Sequence, residues 1–230
     1  MSSKNVLVVA AHPDDEVLGC GATISKLVSL GHTVHILIVA EGSTSRTIEF
    51  SPDTVTDPVS MLIESANKAC SLLHADKVET LGLRDNRLDS YDLLDIVQLI
   101  ELKISTFKPA IVFTHHDGDV NIDHQLLNRA VITATRPSPS QVVKTVLAFE
   151  ILSSTEWQFS PSARGFQPNV FVDVTHFIQQ KLDALHAYEQ EMRDWPHTRS
   201  YQAVESLAKL RGAQVGVDLA EAFMLLRTTL

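Results

Sequence analysis

The chain has 230 residues, a formal charge of -9, and 44% hydrophobic and 20% charged residues. A composition this close to that of an ordinary globular protein can bury a sizeable core and excludes a disordered chain, while the acidic balance excludes a surface that neutralises nucleic-acid phosphates with clustered Lys and Arg. A small-molecule partner fits better, and with no compositional break along the chain the expectation is one domain over residues 1–230 with elaborated loops.

The opening residues, MSSKNVLVVAAHPDDE, hold an apolar run too short for a secretory signal or a membrane span, so a cytoplasmic location is the default expectation. Residues 5–11 read as a β-branched strand, and residues 18–30 carry apolar side chains at helical spacing ending at Gly31, a C-cap. Residues 33–39 repeat the strand signature. Residues 40–57 are rich in Ser, Thr, Gly and Pro without apolar periodicity, which predicts a long loop of the kind that often carries function. A helix over 59–73, a short strand over 78–81, an amphipathic helix over 91–107 and a buried strand over 110–114 follow. Then come a helix over 123–135, a turn at 136–140, strands over 145–149 and 169–174, a long helical pattern over 177–195 and a last helix over 201–211. The alternation predicts an α/β fold, a Rossmann-like and mostly parallel sheet with helices on both faces. Cys20 and Cys70 each stand alone in helical segments and read as free, buried thiols.

In a parallel sheet ligands gather at the carboxyl ends of the strands. His12-Pro13-Asp14-Asp15-Glu16 follows the first strand directly, and the run from His115 to His124 follows the strand that ends at Thr114. A catalytic divalent metal takes three imidazole or carboxylate ligands and keeps a position open for water. His12, Asp15 and His124 supply such a set, and Asp14 is left to accept a proton from an activated water, which is a hydrolytic arrangement. An acidic run before a helix also serves as N-cap and dipole partner, a role that suits Glu16 best. His35, His74, His176 and His186 sit in strand or helix patterns where a structural or solvent role dominates.

Ala-His-Pro-Asp-Asp-Glu resembles the signature of the LmbE-like or PIG-L family of metal-dependent N-deacetylases. The likeness continues through Glu41-Gly42-Ser43, residues 81–87, Asn121-Ile122-Asp123-His124, Arg211-Gly212 and Ala220-Glu221-Ala222-Phe223. It implies that His12, Asp15 and His124 bind zinc or a similar ion (iron, manganese, cobalt or nickel), that Asp14 is the general base, and that the substrate is an N-acetylglucosamine-type sugar or conjugate. It leaves a homo-oligomer open, since relatives of this kind often assemble. Many members carry a histidine where this chain has Asn121, and that histidine is the usual acid or oxyanion partner. Asn donates a hydrogen bond but no proton, so the acid role falls to His116, with His115 second; Asp123 is expected to orient a histidine. Arg46 in the long loop, His115, Asn121 and His197 in the Trp195-Pro196-His197-Thr198-Arg199 turn are the candidate substrate contacts.

Two other classes compete. A nucleotide-binding module needs G-x-G-x-x-G at the first turn, whereas Gly19 and Gly21 arrive one helical turn late behind acidic residues. A non-catalytic relative would not need the whole ligand set and Asp14. Within the enzymes, an amidase for a non-sugar or thiol-conjugate amide remains an alternative.

Overall fold

The computed structural model describes residues 4–43 and 58–229. Seven strands form one sheet in the order β3-β2-β1-β4-β5-β7-β6: β1 Asn5–Ala10, β2 Thr33–Ala40, β3 Lys77–Leu83, β4 Ile111–His115, β5 Thr145–Phe149, β6 Val170–Asp173 and β7 Ala220–Thr228. Neighbours from β3 through β5 pair in parallel, and β7 runs antiparallel to both β5 and β6. The helices are α1 Asp15–Ser29, α2 Pro58–Leu72, α3 Leu93–Phe107, α4 Ile122–Ala134, α5 Ile178–His186 and α6 Tyr201–Val215.

Strand alternation builds two cores. Val6 and Val8 of β1 face a cluster with residues of α1, α2, α5 and α6, while Leu7 and Val9 face a second cluster with residues of α3 and α4. Burial on both faces explains why β1 reads as a continuous apolar run. From β1 the chain winds outward through β2 and β3, then returns to β4 on the other side of β1. That reversal opens a crevice at the carboxyl ends of β1 and β4.

Helix α1, which starts at the acidic motif, is broken at Cys20 (φ -151°, ψ 23°). Side chains replace the lost backbone bonds: Lys181 Nζ donates to the Leu18 carbonyl at 2.7 Å, and Glu221 accepts from Ala22 N at 3.2 Å and Thr23 N at 2.6 Å. Lys181 and Glu221 also pair at 2.6 Å, both buried. A Cβ at Gly19 would lie 2.5 Å from the Phe149 ring, so only glycine lets the helix approach β5 this closely.

The structure departs from the sequence reading at three places. The pattern over 177–195 is not one helix: α5 ends at His186, a 3₁₀ turn spans Glu189–Glu191, and the chain loops to α6. Tyr188 is 1% exposed, bonded to Glu16 at 2.7 Å, and this tertiary anchor draws the chain off the helical path before Pro196 forbids it. Strand β7 is also absent from the sequence reading; its residues served there only as motif. Ala40 belongs to β2 rather than to the loop, and residues 44–57, with Arg46, lie outside the described residues. Among the described residues no helix is long and apolar enough to cross a membrane.

Candidate metal centre and active site

The crevice, about 100 Å³, is lined by residues from six stretches of the chain, among them His12, Asp14, Asp15, Asp85, Asn121, His124, Ser153, Ser154 and Arg199. Its floor begins where β1 ends. The Asp15 carboxylate folds back to accept from His12 N at 2.9 Å, and the same Oδ2 lies 3.2 Å from His12 Nδ1 and 3.2 Å from His124 Nε2. The three side chains offer donor atoms within 4.8 Å of one another.

Each imidazole is gripped from behind. His12 Nε2 is 3.1 Å from Asp123 Oδ2 and 3.2 Å from Asp85 Oδ1, so Asp123 orients a histidine as expected. His124 Nδ1 is 3.2 Å from Asp119 Oδ2, whose carboxylate also accepts from Ser154 Oγ and Thr155 Oγ1. Carboxylates on the rear nitrogens fix ring orientation and make the front nitrogens better donors. His124 Nε2 is buried and faces Asp15 Oδ2 at 3.2 Å without closing a well-formed hydrogen bond to it. A buried nitrogen held this way is satisfied by coordination, and with Asp15 and His12 the donor chemistry fits a divalent ion.

The electrostatics point the same way. Burial lowers the affinity of His12 for a proton, but Asp123 and Asp15 overcome it and push its pKa to about 10. Burial acts likewise on His124, and Asp15 and Asp119 push it to about 9. Asp15 goes well below the carboxylate range: burial raises it, and the His124 and His115 rings outweigh burial. The pocket thus concentrates negative charge that attracts a cation, whether a proton or a metal ion.

Asp14 is the conformational exception, with φ 103° and ψ -29°. A non-glycine residue there costs roughly 1–3 kcal/mol. Glu16 Oε2 holds the turn by accepting from Asp14 N at 3.1 Å, so Glu16 has a structural task rather than a place in the crevice. Arg199 Nη1 donates to Asp14 Oδ2 at 3.0 Å. Burial raises the Asp14 pKa to about 7 against the lowering effect of Arg199. A carboxyl poised near neutrality beside a cation-binding set is suited to general-base work.

The other expected residues separate. Asn121 lines the crevice and N-caps α4, accepting from Asp123 N at 2.8 Å and donating to Asn86 Oδ1 at 2.9 Å. His116 does not line it: its Nε2 lies 2.8 Å from the Arg164 carbonyl and its ring packs edge-on against Phe166. His115 lies behind the ligands, stacked on His124 at 3.9 Å with Nε2 accepting from Ala11 N; burial first, then His124, depress its pKa. His197 also stays outside the lining, accepting from Arg199 N while its ring meets Trp157. The sequence reading names His197 as the contact and Arg199 only as its companion in a turn that closes over the crevice, and it gives Asp85 and Asp119 no role. Asp85 sat inside a quoted motif, and Asp119 inside the acidic loop after β4.

Comparison with known proteins adds the following. A family model described as "PIG-L: GlcNAc-PI de-N-acetylase" matches residues 7–135, which hold all three proposed ligands. A Bacillus cereus protein named "Probable N-acetyl-alpha-D-glucosaminyl L-malate deacetylase 2" is 26% identical over 190 residues, 82% of this chain and 84% of its own length. The structure of N,N'-diacetylchitobiose deacetylase from Pyrococcus horikoshii superposes with a TM-score of 0.76 at 20% identity, covering 98% of this chain and 85% of that one. The 4-carboxy-2-hydroxymuconate hydratase of Pseudomonas putida superposes with a TM-score of 0.75 at 22% identity, covering 99% and 98%. One fold therefore carries a deacetylase and a hydratase, and the reaction has to be argued from the site.

Proposed function

The chain belongs to the PIG-L family, and from that membership we propose that it is a metal-dependent N-deacetylase of an N-acetylglucosamine-type sugar or conjugate. The observation that carries the reading is the convergence of His12, Asp15 and the buried His124 Nε2 beside the buried carboxyl of Asp14. The names of the relatives, two of them deacetylases of N-acetylated sugars, support an acetamide over the hydration of an alkene.

Bound by His12, Asp15 and His124, zinc or another divalent ion would polarise the acetamide carbonyl and make a water more acidic. Asp14 takes a proton from that water as its oxygen bonds to the carbonyl carbon. Arg199 and Asn121 line the same crevice and offer N–H groups to the negative charge that develops on the carbonyl oxygen. Cleavage of the C–N bond then passes the proton held by Asp14 to the leaving nitrogen, giving acetate and a free amine. Asp14 thereby takes on the acid role expected of His116, whose bond to the Arg164 carbonyl turns it elsewhere.

The test is acetate release from N-acetylglucosamine and its conjugates by chelator-treated protein, before and after zinc is restored. Release that returns with the metal is the expected result. Protein with metal bound that frees no acetate from any N-acetylated sugar overturns the sugar assignment and moves the site to a different amide.

A further inference from the structure

Asp14 is held at φ 103° and ψ -29°, and a non-glycine residue persists there only where its surroundings over-determine it. Its buried carboxyl lines the crevice, so whatever fixes this backbone also aims the general base. Glu16 is the nearest constraint, with Oε2 accepting from Asp14 N at 3.1 Å. A glutamate steadies a turn only when its own rotamer is fixed. Tyr188 fixes it, its hydroxyl donating to Glu16 Oε1 at 2.7 Å. Tyr188 and Glu16 are both buried, and the Tyr188 ring packs in the core cluster on the α1 and α5 face of the sheet. Water cannot compete for a hydrogen bond placed there. Tyr188 itself stands outside the crevice lining.

The turn that follows Tyr188 reaches the other end of Asp14. Glu191 N donates to the Tyr188 carbonyl at 2.8 Å, and Glu191 Oε2 lies 3.8 Å from Arg199 Nη1. That nitrogen donates to Asp14 Oδ2 at 3.0 Å, and Arg193 N donates to the Arg199 carbonyl at 3.0 Å, tying the Arg199 loop back to the turn. Residues 188–191 therefore bear on both the backbone and the carboxyl of Asp14.

Resting on the deacetylase reading, we propose that Tyr188 is a positioning residue for the general base. Its hydroxyl, through Glu16, keeps the Asp14 turn in the conformation that presents the carboxyl to the crevice, and Glu191 on the same turn backs the Arg199 grip on that carboxyl. The break of the helical pattern after α5 thus has a functional consequence, because it brings one short turn against both ends of the base.

Tyr188→Phe removes one hydroxyl and keeps the packed ring. In the zinc-loaded protein the Asp14 amide, followed by NMR, should exchange with deuterium roughly tenfold faster than in wild type, while the amides of β1 keep their rates. At equal metal content, kcat for an acetamido sugar should fall roughly tenfold to hundredfold with KM unchanged. In an Asp14→Asn background the same change should cost nothing further, because the group it positions is gone. An Asp14 amide rate that does not move overturns the proposal, and so does an unchanged kcat alongside faster exchange. A loss that adds in full to that of Asp14→Asn makes Tyr188 a stabilising residue and overturns it as well. Wild-type protein that frees no acetate with zinc bound sinks the deacetylase reading, and the amide rate then decides by itself whether Tyr188 holds Asp14.

Discussion

Arg199 Nη1 and Asp14 Oδ2 stand 3.0 Å apart although 185 positions separate them in the chain, and the pair closes one side of the crevice. Arg199 also lies 3.8 Å from Glu191 Oε2, so its charge answers two buried carboxyls. Removing it favours the neutral form of Asp14, whose pKa then rises. Because the base must be ionised, the acid limb of the pH–rate profile of Arg199→Gln should move to higher pH, while Arg199→Lys keeps it near the wild-type position. Loss of a donor to the developing oxyanion should also lower kcat roughly 10²–10³-fold in Arg199→Gln. An unmoved acid limb would separate Arg199 from Asp14 in function.

Asp14→Asn preserves shape and removes the proton acceptor. It should retain metal, since the three proposed ligands are intact, and lose roughly 10²–10⁴ in kcat. Acetate release and metal content measured on the same sample decide it; full activity with metal bound would refute the base assignment.

Asp119→Asn leaves every proposed ligand in place but weakens the grip on His124 Nδ1. Metal affinity should fall roughly 10–100-fold, measured by competition with a chromophoric chelator. An unchanged affinity would show that Ser154 and the packing of His115 suffice to orient the ring.

Without metal, stability should fall as pH rises. The folded pKa values of His12 and His124, about 10 and about 9, exceed the unfolded value near 6.5. Their stabilising protonation is fully present below about pH 6.5 and lost as pH climbs through 9 and 10. Glu16, raised to about 8 chiefly by burial, pushes the same way from its unfolded value near 4.3 upward. Metal at roughly a hundredfold excess over its Kd should restore about 2.7 kcal/mol, or roughly 5–10 °C in Tm for a chain of this size. Melting curves at pH 6 and pH 9 with and without chelator test it; a chelated protein equally stable at both contradicts the assignment.

At the break in α1, Glu221→Leu leaves Ala22 N and Thr23 N without their acceptor and the Lys181 ammonium with the Leu18 carbonyl but without its carboxylate. Stripping one partner from a buried pair costs roughly 3–5 kcal/mol, and Lys181→Met should cost a similar amount. The double variant should lose clearly less than the sum, because the second change removes the charge that the first left stranded. Strict additivity in denaturant titrations would show that the pair does not act as a unit.

Much of this was written locally. Strand β1 is legible as a short, continuous β-branched apolar run and helix α1 because apolar spacing repeats nearly every four residues, and His12 and Asp15 are legible because one strand-to-helix turn carries both. The acidic loop after β4 marks His124 by the same rule. Other assignments depend on what each residue meets. His115 and His116 are neighbours of the same type, yet one stacks beneath His124 and the other turns to the Arg164 carbonyl, a difference set by the packing of the chain beyond β5. The pattern over 177–195 satisfies helical spacing, but Tyr188 is held by Glu16 from the opposite end of the chain and the helix stops. Arg199 belongs to the site only because that loop returns across the first turn. Period and short motif express forces between near neighbours, which a sequence displays. The partner of a buried charge is chosen by topology, and only the folded chain brings Arg199 to Asp14.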